Sequence, residues 1–491
     1  MSVADEIARI KGNIASAYTA AGGKGATLPA VQNSANLAGC IDTITGGGGE
    51  VPAEEWQPNP NWWDIRKILD EDTRDYKGKV GVILYNFNDV SDFQLSSSGM
   101  TAVATSDGAF YSYANNGSAV SHNWDTSKDK DDGRGFKTRW VIYYYTTDTT
   151  TDLFRQDDTK FGWAYNPIAY LVLKINCSKA TNFAYGQKRL EGICNDGYVI
   201  KGTSFKNFLY VCYILQKLPD NINTSESTDF DYFCYLCHNL SYLPDNLDTS
   251  KGTTFKYFLN NCFKIQKLPD NLDTSNGIYF NYFLAECTSL KALPEGLNTS
   301  KGTDFSYFLS GCDSLLWLPD GLDTSNGIYF SYFLSGCLDL QKLPDGLNTS
   351  AGKYFGDFLE YCNSLVTLPD GLDTSNATNF SGFCKNCVSL QKTPEITMAE
   401  NTVNITSKYS SPFNGSSWIV EVPLTLPSNT NFWLDSSTRI SIESFRYIAD
   451  NAPDVTATPR TLTVGSTNIS RINAADPTII TDLNAKGWTV K

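Results

Sequence analysis

Apolar positions recur at a fixed step through the middle of the chain. Cys212, Cys237, Cys262, Cys287, Cys312, Cys337, Cys362 and Cys387 stand 25 residues apart. The phenylalanines from Phe208 to Phe383 and the prolines from Pro219 to Pro394 keep the same interval. Such a period is that of a solenoid, in which each unit buries its apolar face against its neighbours. Within one unit, Phe330, Phe333, Leu334 and Cys337 are spaced 0, 3, 4 and 7, which predicts one face of a short helical stretch. Leu340 and Leu343 predict a short extended run, and Pro344-Asp345-Gly346 a turn with positive φ at Gly, or at Asn in earlier units. Leu347 returns to the core and Thr349-Ser350 opens the next loop. Each unit is thus expected to run helix, strand, turn. Its few inward side chains cannot order so many residues alone, so stacking is required.

The flanks have other patterns. Ile7, Ile10, Ile14 and Ala17 alternate steps of three and four, a short heptad-like seam. Gly22, Gly23 and Gly25 break it, and a second helix is expected near Asn33 with Leu37, Ile41 and Ile44 on one face. Gly46–Gly49 then forms a flexible linker. Residues 51–175 carry an amphipathic stretch at Ile65–Leu69 and β-rich runs at Lys79–Phe87, Arg139–Tyr145 and Ala169–Ile175. Trp56, Trp62 and Trp63 are expected in the core of that domain or at its interface, with a sugar platform as the other reading. After Thr393 the repeat decays. A helix over Ile442–Ala449, a strand over Arg460–Val464, a helix near Pro477–Ala485 and a terminal strand at Trp488–Val490 are expected to cap the stack. The fold class is therefore α+β and multidomain: a helical hairpin at 1–45, a β-rich domain at 51–175, a repeat solenoid at 176–400 and a cap at 401–491.

Composition narrows the partners. The formal net charge of −14 argues against nucleic acid or an anionic membrane, either of which wants a basic stripe. No apolar run is long enough to span a bilayer. The acidic start, Met1–Glu6, does not have the form of a secretory signal. Stacked cysteines have parallel Cβ vectors that disfavour disulfides, so reduced, buried thiols are expected. Cys234/Cys237 and Cys384/Cys387 have the spacing of a zinc half-site, but Cys234 and Cys384 occupy a position that is Leu in other units, and six units separate the pairs. The acidic run Asp125–Gly133 hints at calcium, yet lacks the closing glutamate of a calcium loop, and is expected to be solvated. The two histidines, His122 and His238, sit in no catalytic motif. No cofactor and no enzymatic activity are expected.

The string DTSNGIYFSYFLSGCLDLQKLPDGLNTS resembles the repeats of BspA-like bacterial surface proteins, a branch of the leucine-rich-repeat superfamily, over roughly residues 176–400. Such repeats occur in surface adhesins and in phage virion proteins. The segment IARIKGNIASAYTAAGGKGATLPAVQNSANLAGCIDTI resembles the N-terminal part of phage minor structural and tail-associated proteins, and residues 461–491 resemble the C-terminal end of phage-encoded repeat proteins. These resemblances imply a tail- or head-fibre-like virion protein of the leucine-rich-repeat type, assembled in the host cytoplasm. It would attach to other virion proteins through Ile7, Ile10, Ile14, Leu37 and Ile41. A bacterial cell-surface adhesin is the alternative. Isoleucine at successive seam positions is compatible with a homotrimer.

Two columns are candidate receptor-binding surfaces. Tyr232, Tyr257, Tyr282, Tyr307 and Tyr332 precede the inward Phe and are expected to point away from the buried face. Lys217, Tyr242, Lys267, Ala292, Trp317, Lys342, Thr367 and Lys392 precede the inward strand residue. Their mixture of aromatic and basic groups suits a host glycan or an acidic protein patch. Mutual packing of the tyrosines is the competing reading of the first column.

Overall fold

The computed structural model describes residues 63–491 apart from 86–91, 95–99, 113–118, 132, 134–136, 151–167, 196 and 399–404. The attachment residues Ile7, Ile10, Ile14, Leu37 and Ile41, and Trp56 and Trp62, lie outside the described residues. What is described is a mixed α/β structure with few helices and several sheets.

Helix α1 (Ile65–Glu71) begins at Asp64, whose carboxylate accepts the Lys67 N–H at 3.0 Å, and buries Ile65 and Leu69. It lies on strand β1 (Gly78–Tyr85) at Gly81, where a Cβ would fall 2.6 Å from the Ile65 side chain. The main sheet adds β2 (Met100–Thr105), β3 (Phe110–Ser112), β4 (Lys130–Asp131), β5 (Lys137–Tyr145), β6 (Ile168–Lys174) and β7 (Gly192–Cys194). Its order is β7-β6-β1-β5-β2-β3, with β4 also paired to β5. Val82 of β1 faces Val141 on one side and Leu171 on the other, both antiparallel. Strand β7 then joins β6 in parallel, Ile193 against Leu171. That change of direction marks the entry to the repeats, and one continuous core runs from Val80 to Trp488. Among the described residues the sheet and the repeats share that core.

Four short parallel strands, Thr149–Thr150, Asn176–Cys177, Ile200–Lys201 and Ile222–Asn223, start the stack. Parallel bridges continue from Ser204 through Asp229, Thr254, Tyr279, Asp304, Tyr329 and Tyr354 to Asn379, one residue per unit. The units therefore stack in register, compatible with a repeat solenoid. Phe330, Phe333, Leu334 and Cys337 are all fully buried, as their spacing requires.

The helix expected there does not form. N–H groups of alternate residues leave the unit: Phe330, Tyr332, Leu334 and Gly336 donate to the carbonyls of Tyr354, Gly356, Phe358 and Glu360 at 2.7–3.0 Å. The residues between them, Phe333, Ser335 and Cys337, donate three positions back within the unit. Such alternation needs left-handed residues. Asn182, Asn207, the five tyrosines from Tyr232 to Tyr332, Asp357 and Gly382 all have φ of 52–62°, and a second column from Gly186 to Asn386 has 58–80°. The chain is a run of interlocked turns, not a helix.

The turn at Pro344 also differs from expectation. The Leu347 N–H closes it on the Pro344 carbonyl at 3.1 Å, and neither Asp345 nor Gly346 has positive φ. With Pro at the first turn position, the centre adopts right-handed geometry that demands no glycine. Elsewhere glycine is needed for space: at Gly327 a Cβ would lie 2.3 Å from the Phe330 ring. The Thr-Ser step has a separate cause. Buried Thr324 donates its hydroxyl to the Asn348 carbonyl of the next unit at 2.6 Å, as Thr249, Thr274, Thr299 and Thr349 do in theirs.

The repeat also continues beyond Thr393. Gly415 has the left-handed φ of the second column, and the Ser416 hydroxyl donates to the Cys384 carbonyl at 2.6 Å, replacing a cysteine thiol. Four extra residues separate Ser416 from Cys387, which hides this unit from a 25-residue register. Beyond it, β8 (Phe432–Trp433), β9 (Arg460–Thr463) and β10 (Trp488–Val490) form a parallel sheet with α2 (Ile442–Asn451), α3 (Ser466–Ala475) and α4 (Thr478–Ala485). Arg446 of α2 binds Asp476 at 2.7 Å and Asp482 at 2.6 Å, tying the end together.

Candidate binding surface

The extended run expected as a strand does not form one: in this strand column only Thr367, Lys392 and Glu421 make isolated parallel bridges among the described residues, though the side chains still alternate between buried and outward positions. Leu218, Leu243, Leu268, Leu293, Leu318, Leu343 and Leu368 are buried. Their preceding neighbours Lys267, Lys342 and Thr367 are exposed, as is Lys392 before the buried Thr393, and Lys217, Tyr242, Ala292 and Trp317 are half-buried. Lys217 pairs with Asp220 at 2.8 Å and Lys392 with Glu421 at 3.1 Å, so the charges at both ends are partly neutralised. Between them Tyr242 and Trp317 are half-buried and Lys267 and Lys342 exposed.

The tyrosine column is arranged differently. Tyr232, Tyr257, Tyr282, Tyr307 and Tyr332 are half-buried and stack face to face, centroids 4.2–4.5 Å apart and planes within 10°. The Asp357 carboxylate stands close enough to Tyr332 for its charge to act on the phenol. Burial and adjacent phenols push Tyr257 and Tyr282 up to about 12. Burial and the Asp357 charge do the same to Tyr332. The ring faces are used by the stack, leaving edges for any ligand.

Sequence reasoning missed a third column, one residue before the first inward Phe of each unit. Tyr279, Tyr329 and Tyr354 are 42%, 43% and 37% exposed, among the most exposed large side chains described. The same position holds Ser, Asp, Thr or Asn in other units, so no constant residue type marks it along the chain. Counting outward from Phe280, Phe330 and Phe355 would have found it.

Titratable groups elsewhere serve the fold. His122 is buried, its Nδ1 2.7 Å from the Tyr111 hydroxyl and its Nε2 2.9 Å from Asp107. Asp107 also accepts the Asp125 N–H at 3.0 Å. Asp107 is held below the usual carboxylate range, because bonds from Thr105, Asp125 and His122 outweigh burial, which opposes them. Within the acidic run, Asp125 caps a short 3-10 turn, Asp129 binds Arg139 with both oxygens and Asp131 pairs with Lys137. These carboxylates already have protein partners. His238 lies between the rings of Tyr213 and Phe263 at 4.6 and 4.5 Å, and burial lowers its basicity. Trp63 packs edge-on to Trp140 at 6.5 Å with the Lys130 ammonium 4.0 Å over its ring, so that ring is part of the sheet's packing.

All twelve described cysteines are buried thiols outside any disulfide. Among the described residues no cluster of His, Cys, Asp and Glu is placed to hold a metal, and no helix is long and apolar enough to cross a membrane.

No family model matches the chain, and no curated protein matches it. Among solved structures, the crystal structure of a leucine-rich cell surface protein from Faecalibacterium prausnitzii A2-165 is similar at 13% identity and a TM-score of 0.30. The match covers 57% of this chain and 84% of that one. A likeness of that degree carries no argument about fold or activity.

Proposed function

We propose that this is a non-catalytic display protein, a leucine-rich-repeat-type solenoid carried on a biological surface, whose strand column binds a macromolecule of a host. The observation behind this reading is the contrast within one column. Leucine is buried in unit after unit, while the residue before it changes among Lys, Tyr, Ala, Trp and Thr and faces outward. Packing requires the first and gives no reason for the second. Aromatic and basic groups on a rigid stack suit an acidic protein patch or a glycan.

Two carriers are consistent with it. A virion rests on the resemblances of the two terminal segments, with attachment through the first 45 residues. A bacterial cell surface fits the description of the structural neighbour, at a similarity that adds no weight. Antibody labelling of intact virions and of intact bacterial cells separates them, since each carrier predicts label on its own particle. The recognition role itself is tested with the purified full chain on host cells: saturable binding is expected, and its absence on every candidate host contradicts the role.

A further inference from the structure

We infer that Tyr279, Asp304 and Tyr329 form a slot for a quaternary ammonium group, a site separate from the strand column. Parallel bridges place these three residues on successive units of one column. The orientation of the outer rings follows from their other neighbours. Tyr329 and Tyr354 stack at 4.9 Å with planes 3° apart, so the face of Tyr329 opposite Tyr354 turns toward Asp304. The Lys256 ammonium, from the unit before, lies 4.4 Å over Tyr279, so the free face of Tyr279 also turns toward Asp304. A short acidic side chain thus stands between two aromatic faces.

Size and charge select the ligand. Two units at strand-like spacing put the rings about 10 Å apart. Subtracting carbon contact distance leaves about 6–7 Å. A trimethylammonium head has about that width, whereas a planar guanidinium would fill half of it. A primary ammonium would be too small to touch both rings. Aromatic faces attract an organic cation through their quadrupole, and this attraction grows as the cation sheds water, which a quaternary ammonium does most readily. Asp304 supplies the countercharge. One of its oxygens accepts the Ser306 N–H at 3.0 Å, and the other has no partner among the described residues. The negative charge of the whole chain attracts the same class of ligand.

The test uses the full chain with choline chloride, ethanolamine hydrochloride and phosphatidylcholine vesicles as probes, read by calorimetry or tyrosine fluorescence. Choline should bind saturably and about tenfold or more tightly than ethanolamine. Asp304→Asn keeps the oxygen that accepts Ser306, and Tyr329→Phe keeps the ring. The first should weaken choline about tenfold, the second should leave it unchanged, and Tyr329→Ala should abolish it, with melting temperatures held. Binding to phosphatidylcholine but not phosphatidylglycerol vesicles would identify a lipid source; binding of free choline alone would identify a soluble or polymer-borne one. The slot is overturned if choline shows no saturable binding, if ethanolamine binds equally, or if Asp304→Asn and Tyr329→Ala bind as the parent does. Host-cell binding through the strand column is unaffected by any of these results, so the two sites fail independently.

Discussion

The Cys312 thiol donates to the carbonyl oxygen of Leu284 at 3.3 Å, and the same oxygen accepts the Cys287 N–H at 3.1 Å. Cys262, Cys287, Cys337, Cys362 and Cys387 repeat the arrangement with carbonyls one unit back, and the Cys237 thiol likewise donates to the Leu209 carbonyl. A thiol is small and apolar enough for the core, yet it satisfies a second lone pair that alanine would leave bare. Cys312→Ala should therefore cost about 1–2 kcal/mol, and Phe308→Ala about 3–5, measured by denaturant unfolding. Reductant should leave stability unchanged, because no described cysteine is in a disulfide. A large fall in melting temperature with reductant would show that cross-links hold the stack.

Glycine substitutions separate the two kinds of turn. Gly336 has φ of 80°, so Gly336→Ala should destabilise by about 1–2 kcal/mol. Gly346 lacks positive φ, and a Cβ there meets nothing nearer than the Asp320 carbonyl at 3.8 Å. Gly346→Ala should be neutral or stabilise by up to about 1 kcal/mol. Equal losses at both sites would contradict the turn geometry.

The tyrosine column predicts an alkaline transition. Its folded-state phenols, Tyr257, Tyr282 and Tyr332, ionise near 12 against an ordinary 10.0. Between those values the folded chain binds more protons than the unfolded one, so stability falls as pH rises from 10 to 12. Absorbance titration should show a late-ionising tyrosine class that merges with the ordinary class in denaturant. A single class in the folded protein would remove the stack.

The sequence periodicity revealed which residues are buried but not how the backbone buries them. A spacing of 0, 3, 4 and 7 suits a helix, and it equally suits turns that alternate left- and right-handed residues. What decides between them is that Phe330, Tyr332, Leu334 and Gly336 bond to the next unit, a relation invisible within one unit. Strands β1, β5 and β6 were legible because β-branched and aromatic residues crowd them. The helix Ser466–Ala475 was not, because STNISRINAA is mostly polar. Outward columns could be counted from the inward leucines, whereas Tyr279 and Tyr329 were obscured by Asp304 between them.

Modularity is a consequence of the offset of these bonds. Deleting 326–350 rejoins donors to equivalent carbonyls and should give a shorter, folded stack with a lower melting temperature. Deleting 326–337 removes the donors of Phe330, Tyr332, Leu334 and Gly336 and leaves Tyr354, Gly356, Phe358 and Glu360 without them. That variant should lose cooperative unfolding. Circular dichroism that finds both equally folded would show the register to be wrong.

The most direct test of the recognition role is adsorption of the purified full chain to host cells, comparing the parent with the Trp317→Ala, Tyr242→Ala double variant. Both side chains are half-buried on the outward column rather than in the core, so the melting temperature should change by no more than a few degrees. The account predicts a loss of cell binding of about tenfold or more, since aromatic anchors dominate such surfaces. Unchanged adsorption by a folded double variant would contradict the strand column as the receptor surface.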